Sequence, residues 1–493
     1  NANISNLDGM IVSKITNAKV NNDVVNKEFS QTIQTPISFQ SDINAILTPN
    51  KAEIKSNLIS PIAEVFMNRT IIDLSTNDIK TDYKIEVKNL NKLEGIIAKK
   101  LNGEFLTNGS FKSFNETIQI EGSSNIFEGI TKYTTEFKDS KISNIKFAIE
   151  SAKLEKFLQV INEPIYATGD LNIQADIKNA NLDKLEGVIN SKITNGLVVN
   201  EVTNTIFKQD LKEKVNFDLY VDTDLIPNQA VSKAVLETTL GNLTTKNSIY
   251  NLKENAFNSD YLLNIPQLDK LKDVVKMSLK GKLDISGELY NKENSMSLNG
   301  KSDTLGGTFD FDLKNDKLNA NLKNIDIQEL SSMLDYSKIF DSKANFNLDY
   351  DLLTKKGNLL GKLTNGHLLE NNFVTLVNQL AKVELTKEVY ETFDINTKIN
   401  DRILTSDLIM KSQNTQLNIK DSILDLEKNL IDAKINTTIK DKTLDINLKG
   451  ETSSPQISLD AKDLLKEQIN KKIEKKKDKI QQKLNKALEK AYQ

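Results

Sequence analysis

The chain has no cysteine, no tryptophan and one histidine, and only 7 prolines and 19 glycines in 493 residues. Without thiols there is no disulfide framework, no thiolate nucleophile and no cysteine-held zinc. A thiol-free chain is at home in either redox compartment. No apolar run approaches the ~20 residues of a membrane-crossing helix. Positive charge does not dominate either: 65 Lys and Arg stand against 68 Asp and Glu, for a net charge of −3. That balance excludes nucleic acid as an expected partner, because phosphate recognition needs a clustered positive field. No signal peptide precedes the first repeat, so a fragment or processed product is expected, with any targeting segment upstream.

What the chain has is repetition. Asn1–Asn17 returns as Asn179–Asn195 without a gap, and Asn89–Ile97 matches Asn181–Ile189. Gly357–Gly366 echoes Gly187–Gly196, and Gly281 is a fainter member. Gly9, Gly95, Gly187, Gly281 and Gly357 thus mark units roughly 75–95 residues long, beyond the period of the common short solenoids. A copied unit predicts an elongated stack rather than a globule with one pocket.

Within the units, apolar residues alternate with polar ones. Tyr83, Ile85 and Val87 do so, as do Leu171, Ile173, Ala175 and Ile177. Val215, Phe217, Leu219 and Val221 follow, then Met277 to Ile285, Phe309 to Leu313, Leu318 to Leu322 and Ala344 to Leu352. Ile431 to Ile435 and Leu444 to Leu448 close the series. Period two over short runs, joined by polar turns such as Lys314–Lys317 and Thr354–Gly357, predicts an antiparallel meander. At about 15 residues per strand and turn, roughly 30 strands are expected. Apolar residues three and four apart predict amphipathic helices over Leu154–Ile161, Leu268–Met277, Ile327–Ile339 and Phe373–Val383. Leu464–Tyr492 reads as one Lys-rich helix with a stripe of Leu465, Ile469, Ile473, Ile480, Leu484, Leu488 and Tyr492, interrupted near Lys476 and Lys477. Such a helix either docks on an anionic membrane or an acidic partner, or closes the open end of the sheet.

No catalytic constellation emerges. His367 stands beside Asn365–Gly366, read as an exposed turn, with no second histidine for a metal. Asp310 with Asp312 and Asp349 with Asp351 fall on the polar side of alternating strands. Leu305–Thr308 lacks the lysine and helix of a phosphate loop. The expectation is a non-enzyme without metal or cofactor.

From about Leu330 onward the chain resembles the AsmA-like proteins, a Gram-negative envelope group. Gly357–Gly366 is similar to the family's strand ending in an Asn-Gly or Asp-Gly turn, and the helix Phe373–Val383 follows it. Strands at Phe393–Ile399, Leu404–Met410, Leu417–Ile419, Asp421–Leu426, Leu430–Ile435 and Leu444–Leu448 continue the run. Gly450 to Asp460, with Pro455, resembles the family's ending before a terminal helix. The resemblance implies a periplasmic β-groove tethered to the inner membrane by an upstream segment and carrying phospholipid between inner and outer membranes.

The expected fold is therefore mainly β: an elongated, curled antiparallel sheet forming an open groove, with a few short helices. Residues 1–360 would be the repeat region, 361–460 the AsmA-like domain and 461–493 the basic helix. Leu171, Ile173, Val215, Phe217, Leu219, Phe346, Leu348, Tyr350, Leu444, Ile446 and Leu448 are the groove candidates, with acyl chains as ligand. Both membrane surfaces are expected contacts, and envelope proteins are candidate partners of the C-terminal helix. Alternatives are a scaffold for outer-membrane protein assembly, offering sheet edges, and a β-repeat surface fibre with a sealed core.

Overall fold

The computed structural model describes residues 4–29, 33, 36–97, 99–138, 141–381, 383–440, 442–452, 454–460, 470 and 472–482. The first ten strands are β1 (Gly9–Lys19), β2 (Ser38–Thr48), β3 (Lys51–Ile59), β4 (Glu64–Asp73), β5 (Ile79–Val87), β6 (Phe105–Phe114), β7 (Thr117–Ser124), β8 (Ile130–Lys138), β9 (Lys141–Lys153) and β10 (Ala167–Asn179). Helices α1 (Asn22–Phe29), α2 (Glu94–Ile97) and α3 (Leu154–Val160) lie among them. The same succession follows: β11 (Glu186–Val198), α4 (Asn200–Phe207), β12 (Asn216–Ile226), β13 (Gln229–Thr238), β14 (Asn242–Asn251), β15 (Ala256–Ile265), α5 (Lys272–Val275), β16 (Leu283–Lys292), β17 (Ser295–Ser302), β18 (Thr308–Lys314), β19 (Lys317–Asp326), α6 (Ile327–Met333) and β20 (Phe340–Asp351). A third round opens with β21 (Lys356–Leu368), α7 (Asn372–Ala381) and β22 (Thr392–Asn400). It continues through β23 (Ile403–Lys411), β24 (Thr415–Asp425), β25 (Leu430–Ile439), β26 (Lys442–Glu451) and β27 (Gln456–Asp460).

The protein is mainly β, and the 27 strands among the described residues form one antiparallel sheet that is not closed. Each strand pairs with its neighbour in sequence through β1–β14 and again through β16–β27. Two compact units make up the chain: Asn1–Leu263 with Asp273–Lys276, and Asn264–Lys272 with Met277–Gln493.

The repeating unit is ten strands, twice the length that the glycine spacing predicts. Gly9, Gly187 and Gly357 open β1, β11 and β21, but Gly95 lies in α2 and Gly281 in a connection with φ of 89°. The reason is a local fork. Asn89 and Asn181 each cap a 3-10 turn, accepting the N–H of Asn91 and Asp183 respectively. After the first turn, Glu94 stays helical (φ −52°, ψ −41°), whereas after the second, Leu185 extends (ψ 128°) and the strand begins. Near-identical sequence enters a helix in one copy and a strand in the other. Gly281 also corrects the strand expected over Met277–Ile285. Its carbonyl accepts the Leu268 N–H at 2.9 Å, and the strand starts only at Leu283.

Asn-centred bulges recur with the ten-strand period. Asn17, Asn195 and Asn365 all have φ of 52–55°, the left-handed region that asparagine tolerates better than most residues. At each, the strand carries one extra residue against a neighbour: between Ile15 and Ala18, between Ile193 and Gly196, and opposite the Asp341/Lys343 step. Asn365–Gly366 is therefore a bulge inside β21 rather than a turn. His367 is consequently a half-buried strand residue, not an exposed turn residue.

The helices follow odd-numbered strands, so within each unit they lie along one rim of the sheet, while the other rim is mostly tight turns. Helix α6 is shorter than its apolar spacing predicts and ends at Met333, where Leu334 caps it and Asp335 turns left-handed (φ 59°). Along that rim, helical side chains bury the strand ends. In the second unit Val374, Val377, Leu385 and Tyr390 share one core with Phe340, Leu363, Phe393, Met410, Leu417, Leu444 and Ile446. In the first unit the buried clusters are smaller, such as Ile149, Ala152 and Leu171 with Phe157 and Phe127, whose rings lie 5.3 Å apart.

Glycines on the apolar face make room for aromatic rings. A Cβ on Gly361 would lie 2.5 Å from the Phe346 ring. Gly361→Ala is expected to lower unfolding stability by about 1–3 kcal/mol through overpacking. Urea unfolding of the variant measures this, with the midpoint falling at unchanged m-value.

Candidate apolar groove

Cross-strand register converts the alternation of single strands into rows that cross the sheet. In the first unit one row runs Ile193, Leu219, Leu236 and Leu243 on β11 to β14. In the second, Leu322, Phe346, Gly361, Ile395, Leu408, Ile419, Ile435 and Ile446 form a row across β19 to β26. These rows run perpendicular to the strands, the direction in which an elongated apolar ligand would lie.

All eleven candidates are at least half-buried. Leu171, Val215, Phe346, Leu444 and Ile446 are buried; Ile173, Phe217, Leu219, Leu348, Tyr350 and Leu448 are half-buried. Val215 sits just before β12, where its carbonyl accepts the Val198 N–H at 2.9 Å. In the second unit burial follows distance from the helical rim. On β20, Phe340, Ala344 and Phe346 are buried but Leu348 and Tyr350 are half-open; on β26, Leu444 and Ile446 are buried and Leu448 is half-open. In the second unit the apolar face is thus walled along one rim and accessible towards the other, whereas in the first Leu185 and Leu225 on the opposite rim are buried as well. Phe346 belongs to the wall, so a charge there would damage the fold rather than report on a ligand.

Near the first helical rim, a cavity of about 270 Å³ is lined mainly by Ile33, Pro36, Ile37, Pro61, Ile62 and Ile96. Lys92 stands at its side, its Nζ donating to the Pro61 carbonyl at 2.8 Å.

The face also carries hydroxyls that the alternation of large apolar residues did not flag. Thr223, Ser232 and Ser248 are register partners on β12 to β14, and Ser248 reaches Ser259 on β15 at 2.7 Å. Thr70 and Thr81 make the same kind of buried pair at 2.8 Å. Their signal is parity: Thr223 continues the Phe217, Leu219, Val221 series. A second polar patch joins Tyr83, Tyr133 and Thr107. The two phenols lie 3.0 Å apart, and Tyr133 is 2.8 Å from Thr107, which donates to the Ser123 carbonyl. Burial and then the Tyr133 hydrogen bond hold the Tyr83 phenol well above the usual tyrosine range. These hydroxyls mostly satisfy one another, and they interrupt the neighbouring rows: Val221 and Ala234 are followed by Thr245, and Ile85 by Thr107, Ser124 and Thr131.

The opposite face is charged, with cross-strand pairs such as Lys146–Asp176 at 3.2 Å and Lys449–Asp432 at 2.9 Å. One pair has exchanged sides between copies. Lys153 and Asp170 meet at 2.8 Å on β9 and β10, while Asp326 and Lys343 meet at 3.3 Å at the matching places on β19 and β20. Exposed pairs of this kind contribute little stability each and mainly fix register. At the far end, residues 472–482 are helical and exposed, with Ile473 and Ile480 in solvent among five lysines and two acids. Leu465, Ile469, Leu484, Leu488 and Tyr492 of the expected stripe fall outside the described residues.

Among the described residues no three His, Asp or Glu side chains gather as a metal site, and no helix is long and apolar enough to cross a membrane. No family model, curated protein or solved structure matches the chain.

The polar face gives a test of its own. A hydrogen bond from Lys317, followed by the Thr354 N–H, pulls the Asp351 carboxyl down to about 2. Its folded value is depressed, so its contribution is present above the ordinary carboxylate range and lost as pH falls from there towards 2. Carboxyl NMR titration should find Asp351 ionised through pH 3, and Lys317→Met should return it towards the usual range.

Proposed function

We propose that the apolar face binds lipid acyl chains and lets them slide along the rows, making the protein a lipid conduit or carrier. The observation that supports this most directly is the set of half-open rows on the sheet, with the second unit's helical wall along one rim. A sheet built only for support would seal these side chains against a second layer, as a fibre core requires. Leaving two acyl chains in water costs on the order of 25 kcal/mol at ~0.8 kcal/mol per CH₂. A face presenting similar apolar surface at every strand offsets that cost without a deep trap at any one position.

In this reading the ligand is a two-chain phospholipid and the setting is the space between two membranes, in line with the resemblance to AsmA-like proteins. The hydroxyl row of Thr223, Ser232, Ser248 and Ser259 would accompany the ester region of the lipid. The exposed basic helix over residues 472–482 would rest on an anionic bilayer, where clustered lysines add attraction.

The test uses Leu219 and Leu236, half-buried register partners in the first unit's row. Replacing both by Asp places charge in the path of the chains, and taking a charge out of water beside them is costly. Transfer of a pyrene-labelled phosphatidylethanolamine between phosphatidylcholine vesicles is expected to be accelerated by the native chain. The double variant should lose at least tenfold of that rate at native circular dichroism, with Asp222→Asn on the polar face as a silent control. Undiminished transfer by a folded double variant would contradict the proposal.

A further inference from the structure

The first ten-strand round differs from the second at its cavity of about 270 Å³. The backbone around the place is built alike in both. The Leu90 N–H donates to Gly103 at 2.9 Å and the Leu268 N–H to Gly281 at 2.9 Å. The 3-10 turn Leu90–Leu93 thus matches Leu268–Leu271, and Gly95 matches Asp273. The Ser60 hydroxyl accepts the Ala63 N–H at 2.9 Å, as the Thr238 hydroxyl accepts that of Gly241 at 3.0 Å. Pro61 therefore answers to Thr239 and Ile62 to Leu240. The Ile37 carbonyl accepts from Val20 as the Val215 carbonyl accepts from Val198, so Pro36 answers to Lys214.

Apolar or bare places in the first round are polar in the second: Pro36, Pro61 and Gly95 stand against Lys214, Thr239 and Asp273. In the second round the Asp273 carboxylate accepts the Lys212 N–H at 3.0 Å. In the first, Gly95 brings no side chain, and a Cβ there would meet nothing within 4 Å. Space opens where the copy holds a carboxylate, and Ile33, Ile37, Ile62 and Ile96 make its lining apolar. Lys92 is the cation among the described lining residues. Its Nζ gives one hydrogen to the Pro61 carbonyl, and among the described residues no carboxylate pairs with it.

An apolar cavity of about 150 Å³ holds a benzene ring, so this one has room for about ten alkyl carbons. Two acyl chains exceed that volume. A small inorganic anion would leave the apolar lining wet, and an uncharged chain would leave the ammonium group without a counter-ion. A carboxylate on a single alkyl chain meets both demands.

We propose that this cavity binds a medium-chain fatty acid, with its alkyl chain among the isoleucines and its carboxylate on Lys92. The ligand brings from outside the carboxylate that the second round carries as Asp273. The site lies at the helical rim, apart from the rows, and the proposal does not rest on lipid transport.

The experiment is isothermal titration calorimetry of the full chain with sodium octanoate, and with 1-octanol as the uncharged comparison. One saturable octanoate site is expected. Gly95→Asp places the second round's carboxylate in open space, so it should fold, and should weaken octanoate binding about tenfold or more by setting like charges together. Lys92→Met should weaken octanoate about tenfold, the share of a hydrogen bond to a charged group, and leave 1-octanol unchanged. The Leu219→Asp, Leu236→Asp double variant, at native circular dichroism, should bind octanoate as the native chain does. Absence of a saturable site would overturn the proposal, as would native octanoate affinity in either single variant. Equal loss of octanoate and 1-octanol in Lys92→Met would overturn it too, because the carboxylate would then not be recognised. Loss of octanoate binding in the double variant would overturn it by placing the chain on the rows. Displacement of octanoate by dihexanoylphosphatidylcholine below its micelle concentration would overturn it in favour of a phospholipid's acyl chain.

Discussion

A single β-sheet with one apolar face has no second layer to bury that face against. Hydrogen bonding is met strand by strand through the antiparallel ladder, but the ladder does nothing for side chains projecting from the sheet. In most antiparallel folds a second sheet or a layer of helices completes the core. Here the helices are short and lie along one rim within each unit, so they cover strand ends and leave the middle of the face half-open. The resulting surface is apolar, extended and only partly desolvated, a costly arrangement unless something apolar occupies it.

The bulges bring the helical rim into place. One extra residue at Asn17, Asn195 or Asn365 locally increases strand twist just before the chain leaves for α1, α4 or α7. Ser151 and Asn324 do the same before α3 and α6, and each donates its N–H to an asparagine side chain on the next strand, at 3.0 and 2.9 Å. Beyond the helices the chain is pinned again: Asn26, Asn204 and Asn378 accept the N–H of Ile33, Leu211 and Leu385 at 2.8–2.9 Å. In the second unit Leu385 is thereby driven fully into the core. Asparagine thus performs two separate duties in each repeat, left-handed bulge residue and side-chain clamp.

Much of this was legible in the sequence. Period-two alternation located strands such as β5, β10, β18 and β25, because a half-buried strand must alternate. Strand pairing followed from short polar connections. The repeat was visible, but its length was not, since Asn89–Ile97 and Asn181–Ile189 share residues and part company at the end of a 3-10 turn, where Leu93 stays in the turn and its counterpart Leu185 extends. The bulges were hidden for a related reason: Asn365–Gly366 has the composition of a turn, and only the neighbouring register shows that the strand continues. For the face itself, alternation named residues that share a face but could not separate Phe346, under the helical rim, from Leu348 two residues on. That difference is set by what the helices reach, a tertiary fact. The hydroxyl pairs were missed because Ser and Thr read as polar-face residues until their strand parity is counted.

The central claim is that the open apolar rows are occupied by lipid. Native mass spectrometry of the chain, purified without detergent from cells that produce it, tests this most directly. The account predicts folded protein carrying mass increments of intact two-chain phospholipids, removed by organic extraction and regained on incubation with vesicles. Folded protein at the bare polypeptide mass, unchanged after incubation with vesicles, would contradict it.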